Sequence, residues 1–181
     1  MRVVGGSARG RRLRAPAGRS VRPTSDRARE AIFNALQSRG GVEGARVVDL
    51  FAGSGALGIE ALSRGAASAT FVERDRAAAG VVRENLAALG LDGRVVVADA
   101  VAFAVREGGF DVAFADPPYD FDGWGELLGA LDARLAVLES DRELDVGGGW
   151  EVVRVKRYGG TVVTLAQPAE RSDDKADKAG S

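Results

Sequence analysis

Short apolar runs alternate with longer amphipathic stretches through the central part of the chain. The short runs are typical of buried strands, and the longer stretches, in which apolar residues recur every three or four positions, are typical of helices. This pattern predicts strands over 45–50, 69–73, 94–98 and 110–115, and helices over 56–64, 76–89 and 99–107. Because each helix connects two strands, we expect an α/β fold with a mostly parallel sheet, right-handed crossovers and helices on both faces.

The N-terminal part of the chain has a different pattern. Residues 2–4 and 11–14 flank a Gly-Ser-Ala-Arg-Gly turn, which predicts a short hairpin. Thr24 or Ser25 is then placed to cap a helix, and Gly40-Gly41 ends it. The apolar face of this helix is formed by Ala28, Ala31, Ile32, Ala35 and Leu36.

After residue 123 the pattern allows two interpretations. Residues 124–134 predict a helix and 135–139 a strand, but one longer helix through Glu143 fits the apolar spacing nearly as well. The three glycines at 147–149 form a break. Residues 150–157 and 161–166 then predict an antiparallel pair around Gly159-Gly160.

The length of 181 residues suits one globular unit. We expect a basic N-terminal extension over 1–39 packed on a main domain over 40–168, followed by a disordered tail over 169–181 that is rich in Asp, Lys, Ala and Ser. No apolar run approaches the roughly 20 residues of a membrane span, and the first residues lack the apolar core of a signal peptide. We therefore expect a cytoplasmic protein with no membrane partner. A monomer is expected as well, although no sequence feature indicates the oligomeric state.

Charge is distributed unevenly along the chain. Residues 1–39 contain ten arginines and two acidic residues, a charge of +8, whereas the remaining 142 residues contain 15 basic and 24 acidic residues, a charge of −9. A basic segment on an acidic body favours contact with a polyanion, because arginine binds phosphate through two hydrogen bonds. A solvated segment without a ligand is the alternative. The candidate nucleic-acid contacts are Arg9, Arg11, Arg12, Arg22, Thr24 and Arg27.

The chain contains neither cysteine nor histidine. This composition excludes disulfides, thiolate nucleophiles, histidine-dependent triads, an imidazole base and the commonest zinc ligand. Any chemistry must use carboxylates, backbone groups, hydroxyls, Lys, Arg or a bound cofactor. No dense acidic cluster has the spacing of a calcium loop, so we predict no metal site.

A glycine-rich loop lies between the first predicted strand of the sheet and the helix that follows. Its glycines, Gly53, Gly55 and Gly58, allow a tight turn and close approach of a ligand to the backbone. Their spacing also matches the dinucleotide fingerprint, with Glu73 located 20 residues beyond Gly53. A purely structural turn is the alternative.

Three acidic residues lie at the ends of three successive predicted strands. Asp49 would repel a phosphate but attract an ammonium or sulfonium group. Glu73 suits the two hydroxyls of a ribose, and Asp99 can accept a hydrogen bond from an adenine amino group. Together they favour a cationic adenosine ligand, and S-adenosylmethionine fits this description.

The tetrapeptide Asp116-Pro117-Pro118-Tyr119 follows the predicted strand 110–115, where ligand crevices of parallel sheets open. Because both prolines have a fixed φ and lack an N–H donor, a carboxylate, a rigid carbonyl and an aromatic face are held together. This group can accept hydrogen bonds from a planar NH₂ group and stack on the ring that bears it. Nucleobase amino groups match it.

Two segments, residues 49–61 and Asp116-Pro-Pro-Tyr119, resemble the class I amino-methyltransferases. Residues 22–34, Arg-Pro-Thr-Ser-Asp-Arg-Ala-Arg-Glu-Ala-Ile-Phe-Asn, narrow the resemblance to the bacterial guanine-N2 methyltransferases of small-subunit ribosomal RNA. The similarity covers about residues 2–119, with a weaker match at 156–159. The connection between Leu131 and Ala136 is shorter than is usual in that family.

The resemblance implies a Rossmann-like sheet of seven strands with an N-terminal hairpin and helix. It also implies transfer of a methyl group from S-adenosylmethionine to the exocyclic N2 of one guanine in 16S ribosomal RNA, free or in an assembling small subunit. Asp116, Pro117, Pro118 and Tyr119 would be the catalytic residues that hold the target base. Donor contacts would come from Asp49, Phe51, Ala52, Gly53, Ser54, Gly55, Glu73, Arg74, Asp99, Ala100 and Asp116.

Three other functions share part of this pattern. A DNA adenine-N6 or cytosine-N4 methyltransferase would use the same tetrapeptide, but it usually carries a larger target-recognition region. A nicotinamide-dependent oxidoreductase would explain the glycines and Glu73 but not residues 116–119. A non-catalytic RNA-binding module would explain the basic extension alone.

Overall fold

The computed structural model describes residues 1–17 and 26–170. The strands are β1 (Arg46–Leu50), β2 (Ser68–Val72), β3 (Arg94–Val96), β4 (Phe110–Ala115), β5 (Ala133–Ser140), β6 (Trp150–Tyr158) and β7 (Thr161–Pro168). The helices are α1 (Asp26–Gln37), α2 (Ala56–Ser63), α3 (Arg76–Leu89), α4 (Ala100–Ala104) and α5 (Trp124–Ala130). The predicted caps Thr24 and Ser25, the predicted RNA contact Arg22 and the tail from residue 171 lie outside the described residues.

All seven strands belong to one sheet with the order β3-β2-β1-β4-β5-β7-β6. The pairs from β3 to β5 are parallel, and β7 is antiparallel to both β5 and β6. One apolar cluster contains residues of α1, α2 and α3, and a second contains residues of α4 and α5. The prediction of a mostly parallel seven-stranded Rossmann-like sheet with helices on both faces is therefore confirmed.

The order of the strands places a ligand crevice at the middle of the sheet. From β1 the chain continues outward to β2 and β3, and it then returns to pair β4 with the other edge of β1. At such a switch point the connections that follow β1 and β4 lead to helices on opposite faces of the sheet. This leaves a crevice between the two connections, at the carboxyl ends of the strands. Val47, Val48 and Leu50 are fully buried because both faces of the sheet are covered.

The helix predicted over 99–107 is shorter in the structure. α4 ends at Ala104, and Asp99 caps its first turn by accepting hydrogen bonds from the amides of Val101 and Ala102, both at 3.0 Å. The chain then turns at Gly109, whose φ of 71° lies in the left-handed region, and its amide donates to Asp132. The turn before β4 therefore begins earlier than the apolar spacing indicated.

The longer helix through Glu143 is wrong, and the helix predicted over 124–134 is too long. α5 ends at Ala130, and β5 begins at Ala133 after a two-residue connection. β5 lies between β4 and β7, and its apolar run is buried from Ala136 to Leu138. A strand that is covered on both faces has apolar residues at successive positions and no alternation of apolar and polar residues. The spacing of apolar residues alone therefore could not distinguish a helix from a strand here. The predicted antiparallel pair near the C-terminus is confirmed as β6 and β7.

The N-terminal extension packs on α2 and α3. The predicted hairpin is present in short form: Arg2 and Arg12 form an antiparallel bridge, and the amides of Val3 and Leu13 donate to the carbonyls of Arg11 and Met1. Its turn is fixed by the buried Glu60 of α2, whose two carboxylate oxygens accept hydrogen bonds from the amides of Val4 and Gly5, both at 2.7 Å. Farther along, the Arg14 amide donates to Asn85 of α3 at 2.9 Å. The extension thus becomes part of the apolar cluster beneath α1.

Across the described ranges, 1–17 and 26–170, no helix has the length and apolar content needed to cross a membrane.

Candidate functional site

A cavity of about 320 Å³ opens at the carboxyl ends of the central strands. This volume falls within the range of about 300–1,000 Å³ that is typical of small-molecule sites. The predicted site residues on its wall are Asp49, Phe51, Ala52, Gly53, Ser54, Glu73, Arg74, Asp99, Ala100, Asp116, Pro117, Pro118 and Tyr119. One cavity therefore brings together the glycine loop, the three acids at strand ends and the Asp-Pro-Pro-Tyr segment.

The glycine loop connects β1 to α2 through three residues with positive φ. Gly53 and Gly55 have φ values of 56° and 79°, and Phe51 has a φ of 64°, which is uncommon for a residue with a side chain. Gly55 lies away from the cavity, since a Cβ at this position would approach Val82 and Phe71 in the core. Gly53 is on the cavity wall, where no side chain separates a ligand from the backbone.

Asp49 lies at the bottom of the loop and is almost completely buried. Its Oδ2 accepts a hydrogen bond of 2.9 Å from the amide of Gly58. Burial raises the pKa of this carboxyl to about 8; the Gly58 bond opposes the shift, and the nearby Asp116 and Glu73 add to it. A positive group in the cavity would relieve this cost, because it would stabilise the carboxylate form.

Glu73 and Asp99 use part of their hydrogen-bonding capacity within the protein. The two oxygens of the buried Glu73 accept from the amides of Gly53 and Asp75 at 3.0 and 2.9 Å. Asp99 accepts two amide hydrogens through Oδ1 alone. Since each carboxylate oxygen has two acceptor positions, Asp99 can still accept hydrogen bonds from a ligand, and Glu73 borders the cavity with its carboxylate held by these amides.

The Asp-Pro-Pro-Tyr segment turns away from β4 directly after Ala115. The turn is closed by a 2.9 Å hydrogen bond from the amide of Phe121 to the Pro118 carbonyl. Asp116 is half-buried, and no hydrogen bond from a described residue reaches the Pro117 carbonyl, which can therefore accept one from a ligand. Tyr119 is 41% exposed, and its hydroxyl lies 3.4 Å from Oγ1 of Thr161 in the β6–β7 hairpin.

The structure adds one ionisable residue that the sequence did not indicate. Arg29 of α1 is fully buried and borders the cavity. Its Nη2 donates to the Arg2 carbonyl and, at 2.7 Å, to Asp26, but Nε and Nη1 have no hydrogen-bond partner among the described residues. Burial lowers the pKa of this guanidinium, against the effect of Asp26. Nothing in the sequence singles out Arg29, because it is one of ten arginines in a segment that was expected to be basic and exposed.

The remaining cavity residues are apolar and carried no signal in the sequence. They are Met1, Ala56, Leu57, Val72 and Ala98. Ala56 and Leu57 begin α2 directly after the glycine loop, and Val72 and Ala98 flank predicted acidic residues, so only their neighbours could have indicated them.

The predicted RNA contacts occupy different environments. Arg9, Arg12 and Arg27 are exposed. Arg11 is also exposed, but its Nη2 donates to the Ala88 carbonyl at 2.6 Å, which holds it against α3. The part of the chain that the structure describes contains no group of acidic residues that could hold a metal ion.

The strand order, the cavity at the switch point and the acids around it define a class I, Rossmann-like methyltransferase. The sequence profile of the family described as conserved hypothetical protein 95 matches residues 1–167. The chain belongs to this family.

Relatives and solved structures agree with this assignment. Ribosomal RNA small subunit methyltransferase D of Escherichia coli is 38% identical over 189 residues, which cover 98% of this chain and 94% of that protein. The protein of the same name from Haemophilus influenzae is 32% identical over 174 residues, covering 88% and 89%. The solved structure of yhhF from Escherichia coli is 38% identical with a TM-score of 0.83, and the match covers 94% of this chain and 99% of that one.

Proposed function

We propose that this methyltransferase transfers the methyl group of S-adenosylmethionine to the exocyclic N2 of a guanine in small-subunit ribosomal RNA. The observation that carries the proposal is that Asp116-Pro-Pro-Tyr119 borders the same cavity as the acids of the strand ends. A donor seated among Asp49, Glu73 and Asp99 would then lie beside the group that holds the acceptor. The relatives named for methylation of small-subunit ribosomal RNA supply the class of acceptor.

The charges around the cavity suit the donor. S-adenosylmethionine supplies an electrophilic methyl group on a sulfonium, together with an ammonium, a carboxylate and an adenosine. Asp49 would bind the ammonium side, Glu73 the ribose hydroxyls and Asp99 the adenine amino group. Gly53 would allow the ligand to lie against the backbone. A pyrophosphate in this position would disfavour the carboxylate form of Asp49 further, whereas a cationic group would favour it.

Arg29 would bind the carboxylate of the donor. It is the buried cation among the described residues that border the cavity, and two of its nitrogens have no hydrogen-bond partner there. A buried donor that lacks a partner is costly, so an anionic ligand at this position would recover part of that cost. The carboxylate is the anionic group of the proposed donor.

Asp116 and the Pro117 carbonyl would orient the acceptor. The lone pair of a guanine N2 amine is shared with the ring, which makes the amine a weak nucleophile. Two oxygens that accept its two hydrogens favour a pyramidal nitrogen with its lone pair directed at the donor. Fixed acceptors of this kind act by positioning and by electrostatic preorganisation, without an imidazole base. The proton released after transfer would pass to Asp116 or to water.

Tyr119 would stack on the target base. Stacking of a base on an aromatic side chain contributes about 1–3 kcal/mol, while extracting a paired nucleotide costs a few kcal/mol. The contact is therefore strong enough to hold a base that is already loose and too weak to open a stable helix. We propose an unpaired guanine as the acceptor, and duplexed target RNA should react more slowly than the same RNA with the target in a loop.

The proposal is tested by methyl transfer to small-subunit ribosomal RNA, both free and in assembling particles, with nucleoside mass spectrometry of the product. The expected product is N2-methylguanosine at one position. Methylated adenine or cytosine in DNA would instead favour the alternative methyltransferase. The same mapping of ribosomal RNA from cells that lack the protein should show that this one modification is missing.

Replacement of Asp116 separates donor binding from catalysis. Asp116→Asn keeps the size of the side chain but offers one acceptor oxygen and no charge, so kcat should fall by roughly 10²–10³-fold. The affinity for S-adenosylhomocysteine, measured by calorimetry, should change little. Retained turnover would remove Asp116 from the catalytic role.

A further inference from the structure

The outer strand β6 carries a row of basic residues that the proposed donor site does not use. Arg154, Lys156 and Arg157 are exposed, and they form no ion pair with any described residue. The acidic residue of this strand, Glu151, lies at its far end and accepts a hydrogen bond from Gln167. These three basic residues, which we call the β6 basic row, stand out on a body whose overall charge is −9 outside residues 1–39.

The topology directs this row toward the cavity. β5 is parallel to β4, β7 is antiparallel to β5, and β6 is antiparallel to β7, so β6 runs in the same direction as β4. The carboxyl ends of β4 and β6 therefore lie at the same end of the strands, on the side of the sheet where the cavity opens. The β6–β7 hairpin ends there, and Thr161 lies 3.4 Å from the hydroxyl of Tyr119.

Two residues of the row, Arg154 and Lys156, share a face with α1 and the N-terminal extension, whereas Arg157, which pairs with Val162, points to the other face of this outer strand. Arg154 pairs with Leu165, and Lys156 pairs with Val163. Both partners belong to the apolar cluster that includes residues of α1 and the extension. Residues directly opposite each other in an antiparallel pair point to the same face. Phosphates that contact the exposed Arg27 of α1 and those that contact Lys156 would thus lie on one side of the sheet.

The span from the target base to this row suits a nucleic-acid strand. Three strand spacings separate β4 from β6, which gives about 14 Å at roughly 4.8 Å each. Stacked nucleotides advance by about 3.4 Å each along one strand, so this distance corresponds to about four nucleotides. Exposed basic side chains at this spacing match the phosphates that flank a base held at Tyr119.

We propose that the β6 basic row and the β6–β7 hairpin bind the phosphates of the RNA strand that flanks the target base. This inference rests on the proposed function and extends it, because it assigns an RNA contact to the outer strand β6, outside the N-terminal extension. The hairpin places Thr161 against Tyr119, so a strand bound along β6 leads directly to the aromatic face for the target base.

A triple variant tests this surface. Arg154→Gln, Lys156→Gln and Arg157→Gln together remove three positive charges from exposed positions. The matched control, Arg46→Gln, Arg106→Gln and Arg134→Gln, removes the same charge from exposed residues near the amino ends of β1, β4 and β5, away from the cavity. RNA affinity is measured by fluorescence anisotropy between 50 and 200 mM salt with a loop of small-subunit ribosomal RNA.

The β6 variant should bind this RNA roughly 100-fold more weakly near 0.1 M salt. The salt slope, by which we mean the slope of the logarithm of the binding constant against the logarithm of the salt concentration, should decrease in magnitude by about 2. Each single-strand phosphate contact contributes about 0.7 to this slope. The value of kcat at saturating RNA and the affinity for S-adenosylhomocysteine should stay within about twofold of the wild type. An RNA affinity and salt slope equal to those of the control variant would overturn the proposal.

Basic residues on an outer strand can also prevent association through the sheet edge. If the β6 variant formed dimers or aggregates in light scattering while its monomer kept wild-type RNA affinity, that role would replace the proposed one. A wild-type protein that methylates no ribosomal RNA would contradict the proposed function itself. Transfer by the wild type together with a β6 variant that behaves like its control would contradict only the assignment of this surface.

Discussion

At the scale of single residues, Asp49 and Arg29 combine charge with nearly complete burial at the wall of one cavity. Burial disfavours the charged form of each, so the pKa of Asp49 is raised and that of Arg29 is lowered. The position of Asp49 at a strand end, directly before a glycine loop, indicated its role in the sequence. Arg29 could not be found in this way, since its burial depends on the packing of α1 against the N-terminal extension.

Asp49 should make stability depend on pH. Its pKa of about 8 in the folded protein exceeds the ordinary value of 3.8, so the folded state keeps a proton that the unfolded chain releases. The free energy of unfolding should therefore fall as the pH rises from about 4 to about 8, by up to about 1.4 kcal/mol per pH unit for one proton. Urea unfolding at several pH values should show this fall in the wild type relative to Asp49→Asn. Parallel curves for the two proteins would contradict it.

The same carboxyl links donor binding to protons. A cationic ligand group favours the carboxylate form, so binding below pH 8 should release a proton and affinity should rise with pH. Calorimetry in buffers with different ionisation enthalpies measures this release directly. The Asp49→Asn variant should bind the ligand without releasing this proton.

Arg29 should distinguish donor analogues by their carboxylate. Arg29→Gln should weaken binding of S-adenosylhomocysteine by roughly 10–150-fold, the value of one charged hydrogen bond of about 1.5–3 kcal/mol. It should change little the binding of S-adenosyl-3-thiopropylamine, the same compound without its carboxylate. The exposed neighbour Arg27→Gln serves as the control and should leave both affinities unchanged. An equal loss for both ligands would show a structural role.

At the scale of elements, α2 is fitted closely between the sheet and the N-terminal extension. Gly58 lies against Phe71 of β2, and a Cβ at this glycine would come within 2.4 Å of the Phe71 ring. On another side of the helix, Glu60 holds the turn of the extension. A helix of eight residues thus depends on its contacts more than on its own propensity.

Two glycine substitutions should have opposite effects for this reason. Gly58→Ala forces a methyl group against a buried ring and should lower the free energy of unfolding by about 1–3 kcal/mol. Gly80→Ala in α3 meets no atom within 4 Å and should raise the free energy by about 0.5–1 kcal/mol through helix propensity. Denaturant unfolding compares the two variants with the wild type. If both substitutions lowered the free energy of unfolding, helix propensity and the room available for the new methyl group would not explain the effect of Gly80→Ala.

At the scale of the whole molecule, the sequence predicted most of the sheet because its strands are apolar runs bounded by clear turns. The bounds of α3 and β4 agree with the prediction at both ends. The convergence of the predicted site residues on one cavity followed from the rule that ligand crevices open at the carboxyl ends of parallel strands, whereas the order of the strands was not predicted. The segment from Trp124 to Ser140 was less predictable, because the connection Leu131-Asp132 is too short to mark the change from helix to strand. The burial of Arg29 and the contact of the hairpin with Tyr119 depend on residues far apart in sequence.

The aromatic rings near the cavity give this molecule an optical reporter of occupancy. Phe51 borders the cavity, its ring centroid lies 5.0 Å from that of Phe121, and Phe121 lies 5.4 Å from Trp124. A bound molecule that displaces Phe51 would therefore change the surroundings of the Trp124 indole through Phe121. The second tryptophan, Trp150, is hydrogen-bonded to Leu128. Titration with S-adenosylhomocysteine should thus change the emission of Trp150→Phe, in which Trp124 alone fluoresces, and leave that of Trp124→Phe unchanged.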